Sequence, residues 1–247
     1  MAPDLSYVQF VDGDCALVDG WPEHSIAFME IHSNTAAVCG RLRERHPERS
    51  LYNWLCDREW DRPPGEVRAC GGIVTMRVNA FEAMGGFRED LIAGEEPELC
   101  VRLRAAGWRI WRLDREMALH DAAMTRFGQW WRRALRGGYA VAQGAYLHGA
   151  APERFGVWES RRAWLWGICL PLVCLAAGLA FGPWGWAGWV IYPLQIIRQS
   201  IRNRGPLGQR GLLALFQVLA RFPEVLGQIK FMRDRLLGRA SRLIEYK

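Results

Sequence analysis

Residues 5–11 form an apolar, β-rich run (Tyr7-Val8-Gln9-Phe10-Val11) that stops at Asp12-Gly13-Asp14, the pattern of a buried strand ending in a loop. Residues 23–45 mix apolar and polar positions in a way that fits a strand plus a helix. The polar stretch 43–65, rich in Arg, Glu, Asp and Pro, reads as a surface insertion with a short helix at 51–56. A glycine-led strand is predicted at 70–76, and a short helix at 78–84 closed by Gly85-Gly86. Over 96–106, Leu99, Leu103 and Ala106 recur at helical spacing and Gly107 stands where the helix would stop. The next strand is expected at 108–113. Residues 127–146 then read as an amphipathic helix with paired aromatics and arginines.

The C-terminal third has a different pattern. Residues 164–181 are 18 positions without a charge, which as a helix span about 27 Å, close to the ~30 Å hydrocarbon core of a bilayer. Gly182-Pro183 breaks this run, and 184–197 is a second uncharged run of 14 residues, about 21 Å long as a helix. Arg161 and Arg162 precede the pair and Arg198, Arg202 and Arg204 follow it, so the positive-inside rule predicts a transmembrane hairpin over 160–203 with both flanks cytoplasmic. A buried hairpin of a soluble protein is the alternative. Over 208–247 an apolar stripe (Leu212, Leu215, Phe216, Leu219, Phe222, Leu226, Ile229) runs beside Arg210, Arg221, Lys230, Arg233 and Arg235. This basic tail fits a helix lying on anionic lipid, and equally one docked on the globular part.

Composition sharpens that division. Half of the 247 residues are hydrophobic and 23% charged, which excludes a disordered chain. The net charge of +6 is uneven: residues 1–150 carry 18 Arg against 21 Asp and Glu, net −3, and the remainder carries 14 Lys and Arg against 5 acids, net +9. The basic charge thus accompanies the longest apolar run, as do six of the 13 tryptophans, so a membrane surface is the expected partner and nucleic acid is not. Seven cysteines with no Cys-x-x-Cys pair indicate neither a disulfide framework nor a zinc knuckle. The first residues lack the charged and apolar regions of a signal peptide, which leaves a cytoplasmic first part as the expectation.

Four groups could carry chemistry. Asp12 and Asp14, at the end of a strand, can offer hard oxygen ligands to a divalent cation, although Asp-Gly-Asp also builds ordinary turns. Gly94-Glu95-Glu96-Pro97-Glu98 places three carboxylates at a helix start, where the helix dipole favours them even without function. His120 precedes Asp121 at the end of an apolar segment. Trp130-Trp131-Arg132-Arg133 joins rings that stack on a sugar or base to cations that pair with phosphate, and also fits a core helix with a solvated basic face.

Taken in order, the strand with Asp12-x-Asp14, Gly71-Gly72, Met84-Gly85-Gly86-Phe87, the block from Gly94 to Trp108, and His120 resemble the family 2 glycosyltransferases. The resemblance runs from about residue 7 to about 145 and implies an α/β GT-A fold, Rossmann-like, over 1–150. It implies that Asp12 and Asp14 hold a divalent metal, Mg or Mn, on the diphosphate of a nucleotide-sugar donor, with His120 as a further metal or phosphate ligand. Glu95 or Glu96 would be the base for the acceptor hydroxyl, and Gly71, Gly72, Trp130, Trp131, Arg132 and Arg133 would line the donor or acceptor. Inversion by single displacement follows from a base opposite the leaving group. Gln129 to Arg133 matches the Gln-x-x-Arg-Trp element of processive members only loosely, which argues against polymer synthesis.

Family members carry several βα units ahead of the Asp-x-Asp strand, and here that strand begins within ten residues of Met1. The expectation is a donor-binding half missing from residues 1–247, and a chain that is inactive or unstable alone. The whole is expected at a bacterial inner membrane, acting on a lipid-linked or polysaccharide acceptor. The rival is a membrane-anchored remnant or scaffold of such an enzyme. A phosphohydrolase of the haloacid dehalogenase type is disfavoured, because Ala16 stands where that motif wants Thr or Val.

Overall fold

The computed structural model describes residues 5–239 and 245, and the chain divides into two compact units, residues 1–129 and 130–246. In the first, strands β1 (Tyr7–Phe10), β2 (Cys15–Leu17), β3 (Thr35–Glu44), β4 (Gly65–Glu66), β5 (Val74–Arg77) and β6 (Arg109–His120) form one mixed sheet. Its order is β1-β5-β3-β6-β2, with β4 also on β6. Strands β3 and β6 are parallel, while β5 runs antiparallel to both β1 and β3 and β2 runs antiparallel to β6. The carboxyl ends of β1, β3 and β6 therefore share one end of the sheet with the amino ends of β5 and β2.

Alternation along the strands sends side chains to two cores. Ala37, Val74, Met76 and Ile110 pack with Leu99 and Leu103 of helix α4 (Glu95–Ala105), Ala80 of α3 (Val78–Ala83) and the half-buried Phe10, Phe81 and Phe87. Val38, Ile73 and Met117 face the other way, onto Trp21 and Met29 of α1 (Trp21–Ile31). Helices thus cover both faces, which is why the central strands are apolar on both sides.

Strand β1 and helices α3, α4 and α5 (Phe127–His148) lie within two residues of the expected positions, whereas the strand expected at 70–76 is paired only from Val74. The stretch 43–65 is a correction. It is no mere surface insertion: Glu44, Asn53, Leu55 and Cys56 are buried, and α2 (Leu51–Trp60) packs back on β3 with its other face exposed or half-exposed. Two of its polar residues, Glu44 and Asn53, are inside because they are paired, while Arg43, Arg45, Glu48, Arg49, Glu59, Asp61 and Arg62 stay exposed. Ser50 caps α2 by accepting from the Asn53 amide at 3.0 Å, and Asn53 donates to Glu44 Oε1 (3.0 Å) and the His46 carbonyl (3.1 Å) while accepting from Met124 N (3.0 Å). The strand expected at 108–113 runs on to His120, because the ladder with β3 continues through charged residues, Arg41 opposite Glu116 and Glu44 opposite His120.

The second unit is helical: α5 (Phe127–His148, its first three residues in the first unit), α6 (Val157–Trp164), a π-helical turn (Leu165–Cys169), α7 (Leu170–Phe181), α8 (Pro183–Trp186), a 3-10 turn (Ala187–Val190), α9 (Ile191–Arg202), α10 (Leu207–Leu219) and α11 (Arg221–Leu236). Helices α5 and α11 cross backbone to backbone at glycine. A Cβ on Gly138 would lie 2.0 Å from the Glu224 carbonyl oxygen, and one on Gly227 2.0 Å from that of Leu135. Ser160 and the buried Gln228 bond side chain to side chain at 2.7 Å, which satisfies the amide inside the bundle. By length and composition, two helical stretches among the described residues could cross a membrane, Val157–Phe181 and Leu207–Leu236. The second of these is the stretch expected to be an interfacial tail, whose residues 240–244, 246 and 247 lie outside the described residues.

Candidate active site at the end of the sheet

Asp12 leaves β1 and opens a tight turn in which the Cys15 amide donates to its carbonyl at 3.0 Å. The Asp-Gly-Asp segment is therefore a turn that follows β1, and β1 is a half-buried edge strand rather than the buried strand expected. Phe10 pairs with Val74, so two positions further on the ladder brings Asp12 to Gly72. A Cβ on Gly72 would sit 3.5 Å from Asp12 Oδ2, and Gly72 has φ +97°, a left-handed backbone that favours glycine.

The same loop is gripped from its other side by Glu96. Its carboxylate accepts from the Cys70 amide (Oε1, 2.9 Å) and the Gly71 amide (Oε2, 2.7 Å), and the Cys100 thiol donates to Oε1 at 2.8 Å. Glu96 is buried, and these bonds are what make a buried carboxylate tolerable. Burial, with Glu96 alongside, holds the Cys100 thiol well above its ordinary range. Glu98 is committed as well. It pairs with Arg102 at 2.7 Å, and Arg102 reaches on to the Met84 carbonyl and the Gly86 carbonyl (2.8 Å), which closes the Gly85-Gly86 turn. Glu95, half-buried in the same first turn, has no side-chain partner among the described residues. Of the three carboxylates at this helix start, Glu95 is the one not tied into the fold.

A second group forms where β2 meets the end of β6. Cys15 pairs with His120 in the ladder, and the Asp121 amide donates to the Asp14 carbonyl. Donor atoms of Asp14, Cys15 and His120 all lie within 4.8 Å of one another. His120 Nε2 is 3.4 Å from Asp14 Oδ1, and Nδ1 is 3.7 Å from Oε2 of Glu44. The Trp60 ring meets the His120 ring edge-on, centroids 4.8 Å apart. Burial pushes the Glu44 carboxyl above the usual carboxylate range, opposed by the amides of Ala122 and His46 that donate to it.

The sheet end thus gathers Asp12 with Gly71, Gly72 and Glu96 through one loop, and Asp14 with His120 through another. Asp12 is not among the three donors that converge within 4.8 Å; Cys15 is, and nothing in the sequence pattern singled it out. What could have found it is the register, since a residue next to Asp14 on a short strand must face the end of β6. Trp130, Trp131, Arg132 and Arg133 belong to the helical unit, where Trp130 is buried with Phe216 edge-on at 4.9 Å and Arg132 is exposed.

No family model matches the chain. A stretch of 45 residues, 18% of this chain and 14% of the other, is 44% identical to the succinoglycan biosynthesis protein ExoA of Rhizobium meliloti (strain 1021). The structure is similar to that of the mannosyltransferase PcManGT from Pyrobaculum calidifontis, solved in complex with GDP-Man and Mn2+. The TM-score is 0.52 at 16% sequence identity, over 93% of this chain and 63% of that one. The chain therefore spans less than two thirds of either protein. A mixed sheet covered by helices on both faces, with an Asp-x-Asp turn at its end and this structural likeness, makes the fold that of the GT-A glycosyltransferases.

Proposed function

We propose that the chain is part or all of a glycosyltransferase that moves a hexosyl group from a nucleotide-sugar donor to an acceptor hydroxyl, in the making of an envelope or exopolysaccharide. The observation that carries this reading is that Asp12, Asp14, the Gly71-Gly72 loop and the glutamates of α4 meet at one end of a GT-A sheet. Ligands of open α/β sheets bind beyond the carboxyl ends of the strands, which is where these residues are. The stretch shared with a succinoglycan biosynthesis protein supports a polysaccharide product, and the GDP-Man and Mn2+ of the mannosyltransferase support a nucleotide-sugar donor and a divalent metal.

The Asp14 carboxylate oxygen and the His120 imidazole nitrogen, 3.4 Å apart with Cys15 beside them, are donors of the kind such a metal takes. Asp12 and Asp14 would hold it, and when bound it would neutralise charge developing on the leaving diphosphate. Gly71 and Gly72, without side chains, leave the backbone open to a close approach by the donor. Glu95, the carboxylate not engaged elsewhere, takes the proton from the acceptor hydroxyl as its oxygen attacks the anomeric carbon. A base on the face of the sugar opposite the leaving diphosphate would invert the configuration.

Membrane attachment belongs to the same reading. Leu172, Val173, Leu179 and Phe181 of α7, with Trp184 and Ile201, are exposed apolar side chains on helices flanked by arginine. Lipid is the solvent that makes such exposure favourable, and a membrane-held transferase suits a lipid-linked acceptor. Introducing Asp14→Asn at the chromosomal locus tests the function. Loss of the polysaccharide at unchanged protein level is the expected result; an unaltered product would favour a scaffold.

A further inference from the structure

Helix α9 carries its polar side chains inward and its apolar ones outward. We infer that it is not the returning arm of a membrane hairpin but lies in the plane of the bilayer surface, with Leu194, Ile197 and Ile201 in the acyl region and Arg198, Arg202 and Arg204 on the phosphates of anionic lipid. The inference rests on the membrane reading of the helical unit and adds to it the element that meets the headgroups.

Contacts along the returning chain fix where α9 begins. After Gly182 the chain folds back on α7: a Cβ on Gly185 would lie 1.9 Å from the Ala177 carbonyl oxygen, and one on Gly178 2.5 Å from Cε2 of Trp186. Further on, a Cβ on Gly188 would meet Cys174 Sγ at 3.2 Å. Tyr192 then donates to the Trp166 carbonyl at 2.6 Å, with the two rings edge-on and their centroids 5.7 Å apart. By the second residue of α9 the chain has therefore retraced α7 and the π-helical turn, back to within four residues of Arg162. The rest of α9, about 15 Å of helix, has no hydrocarbon thickness left to cross. It is also outside both stretches that are long and apolar enough to span, Val157–Phe181 and Leu207–Leu236.

The faces of α9 say what it lies on. Gln195, Ile196, Gln199 and Ser200 form its half-buried side, and the helix packs on α10. Just past its end, Asn203 Nδ2 donates to Gln217 Oε1 (3.2 Å) and to the Arg210 carbonyl (3.3 Å). The polar groups are thus used inside. Outside, Leu194 is 58% exposed, Ile197 56% and Ile201 73%, and at 3.6 residues per turn they share one arc, with the exposed Arg198 and Arg202 at its edge. In water this helix would be inside out; at an interface the arc enters the acyl boundary while the arginine stems run along it to the phosphates. Helix α10 is held to protein, since Ala214 and Val218 are buried and Phe216 meets Trp130, so it lies with α9 as the support beneath it. Three arginines without an acid between Ile191 and Arg204 match an anionic surface, and the arc continues the exposed apolar surface of α7.

The test uses the full chain reconstituted in nanodiscs, with single cysteines introduced on the exposed arc and read by peptide mass spectrometry, which separates them from the native thiols. In discs containing phosphatidylglycerol, Ile197→Cys and Ile201→Cys should react with a membrane-impermeant maleimide about 10-fold more slowly than Arg198→Cys and Arg202→Cys. A crossing helix would instead grade reactivity along its length, with positions 201 and 202 fast and 197 and 198 slow. That result, or fast reaction at all four positions, would overturn the proposal. In discs of phosphatidylcholine alone, protection of Ile201→Cys should fall by about 10-fold, and adding Arg198→Glu and Arg202→Glu should lower it as much in anionic discs. Equal protection in both lipids would overturn the role of the arginines. On the unmodified chain, a lipid-soluble carbene precursor should label Leu194, Ile197 and Ile201 and spare Gln195 and Gln199; the reverse pattern contradicts the placement. None of these readouts requires sugar transfer. A chain that fails to enter the discs would sink the membrane reading itself, whereas one that enters with graded reactivity sinks only the in-plane helix.

Discussion

Two adjacent glutamates of one helix turn have different surroundings. Glu96 accepts two backbone amides and a thiol, so Glu96→Gln places an NH2 group against donors and loses charge-assisted bonds, at a cost of about 2 kcal/mol. A lower midpoint in thermal unfolding is the expected observation. Glu95→Gln disturbs no side-chain bond, so its stability should stay within about 0.5 kcal/mol of the wild type. Next to Asp12, Gly72→Ala forces a side chain into a left-handed backbone, for about 1–3 kcal/mol, and displaces the loop that meets the carboxylate. Cys100 adds a pH dependence. Its folded-state thiol pKa is raised, so the native chain holds this proton more firmly than the unfolded chain does. The resulting stability is complete below the ordinary thiol pKa of about 8.5 and is lost as pH rises through the folded-state value. Iodoacetamide at pH 8 should accordingly spare Cys100 until denaturant unfolds the protein, which peptide mass spectrometry would read.

At the scale of elements, the sequence was legible where one strong local signal decides the structure. Strand β1 ends at Phe10, two residues ahead of Asp12, and α4 begins after Gly94 and is followed by Gly107, whose φ is +88°. It was less legible where pairing partners decide. Strand β2 has three residues and no pattern of its own, and exists because β6 extends beneath it. The charged half of β6, Asp114 to Glu116, looks like a loop until β3 pairs with it. Helix α2 looks like a surface piece because its buried polar residues satisfy one another across the chain, which no window of sequence displays. The same reason hid Cys15, whose neighbours come from residues over a hundred positions away. In the helical unit, Gly138 and Gly227 allow α5 and α11 to touch backbone to backbone. Gly227→Leu should push the helices apart and destabilise the bundle by about 3 kcal/mol, seen as a loss of near-ultraviolet circular dichroism and earlier thermal unfolding.

For the whole molecule, charge, apolar surface and chemistry divide along the chain. The first 150 residues are net acidic and hold the sheet with its carboxylates, and the remainder is net basic, tryptophan-rich and helical. That division accounts for a net charge of +6 without any nucleic-acid partner. It also joins the two halves of the proposal, a sugar-transferring site and a surface suited to lipid. The central claim is that Glu95 is the base of a glycosyl transfer supported by Asp12 and Asp14. The most direct test places Glu95→Gln at the chromosomal locus and follows incorporation of labelled sugar from nucleotide-sugar donors by isolated membranes. The account predicts a loss of about 10²–10⁴-fold with the protein still folded and membrane-bound. Incorporation at the wild-type rate in that variant would contradict it.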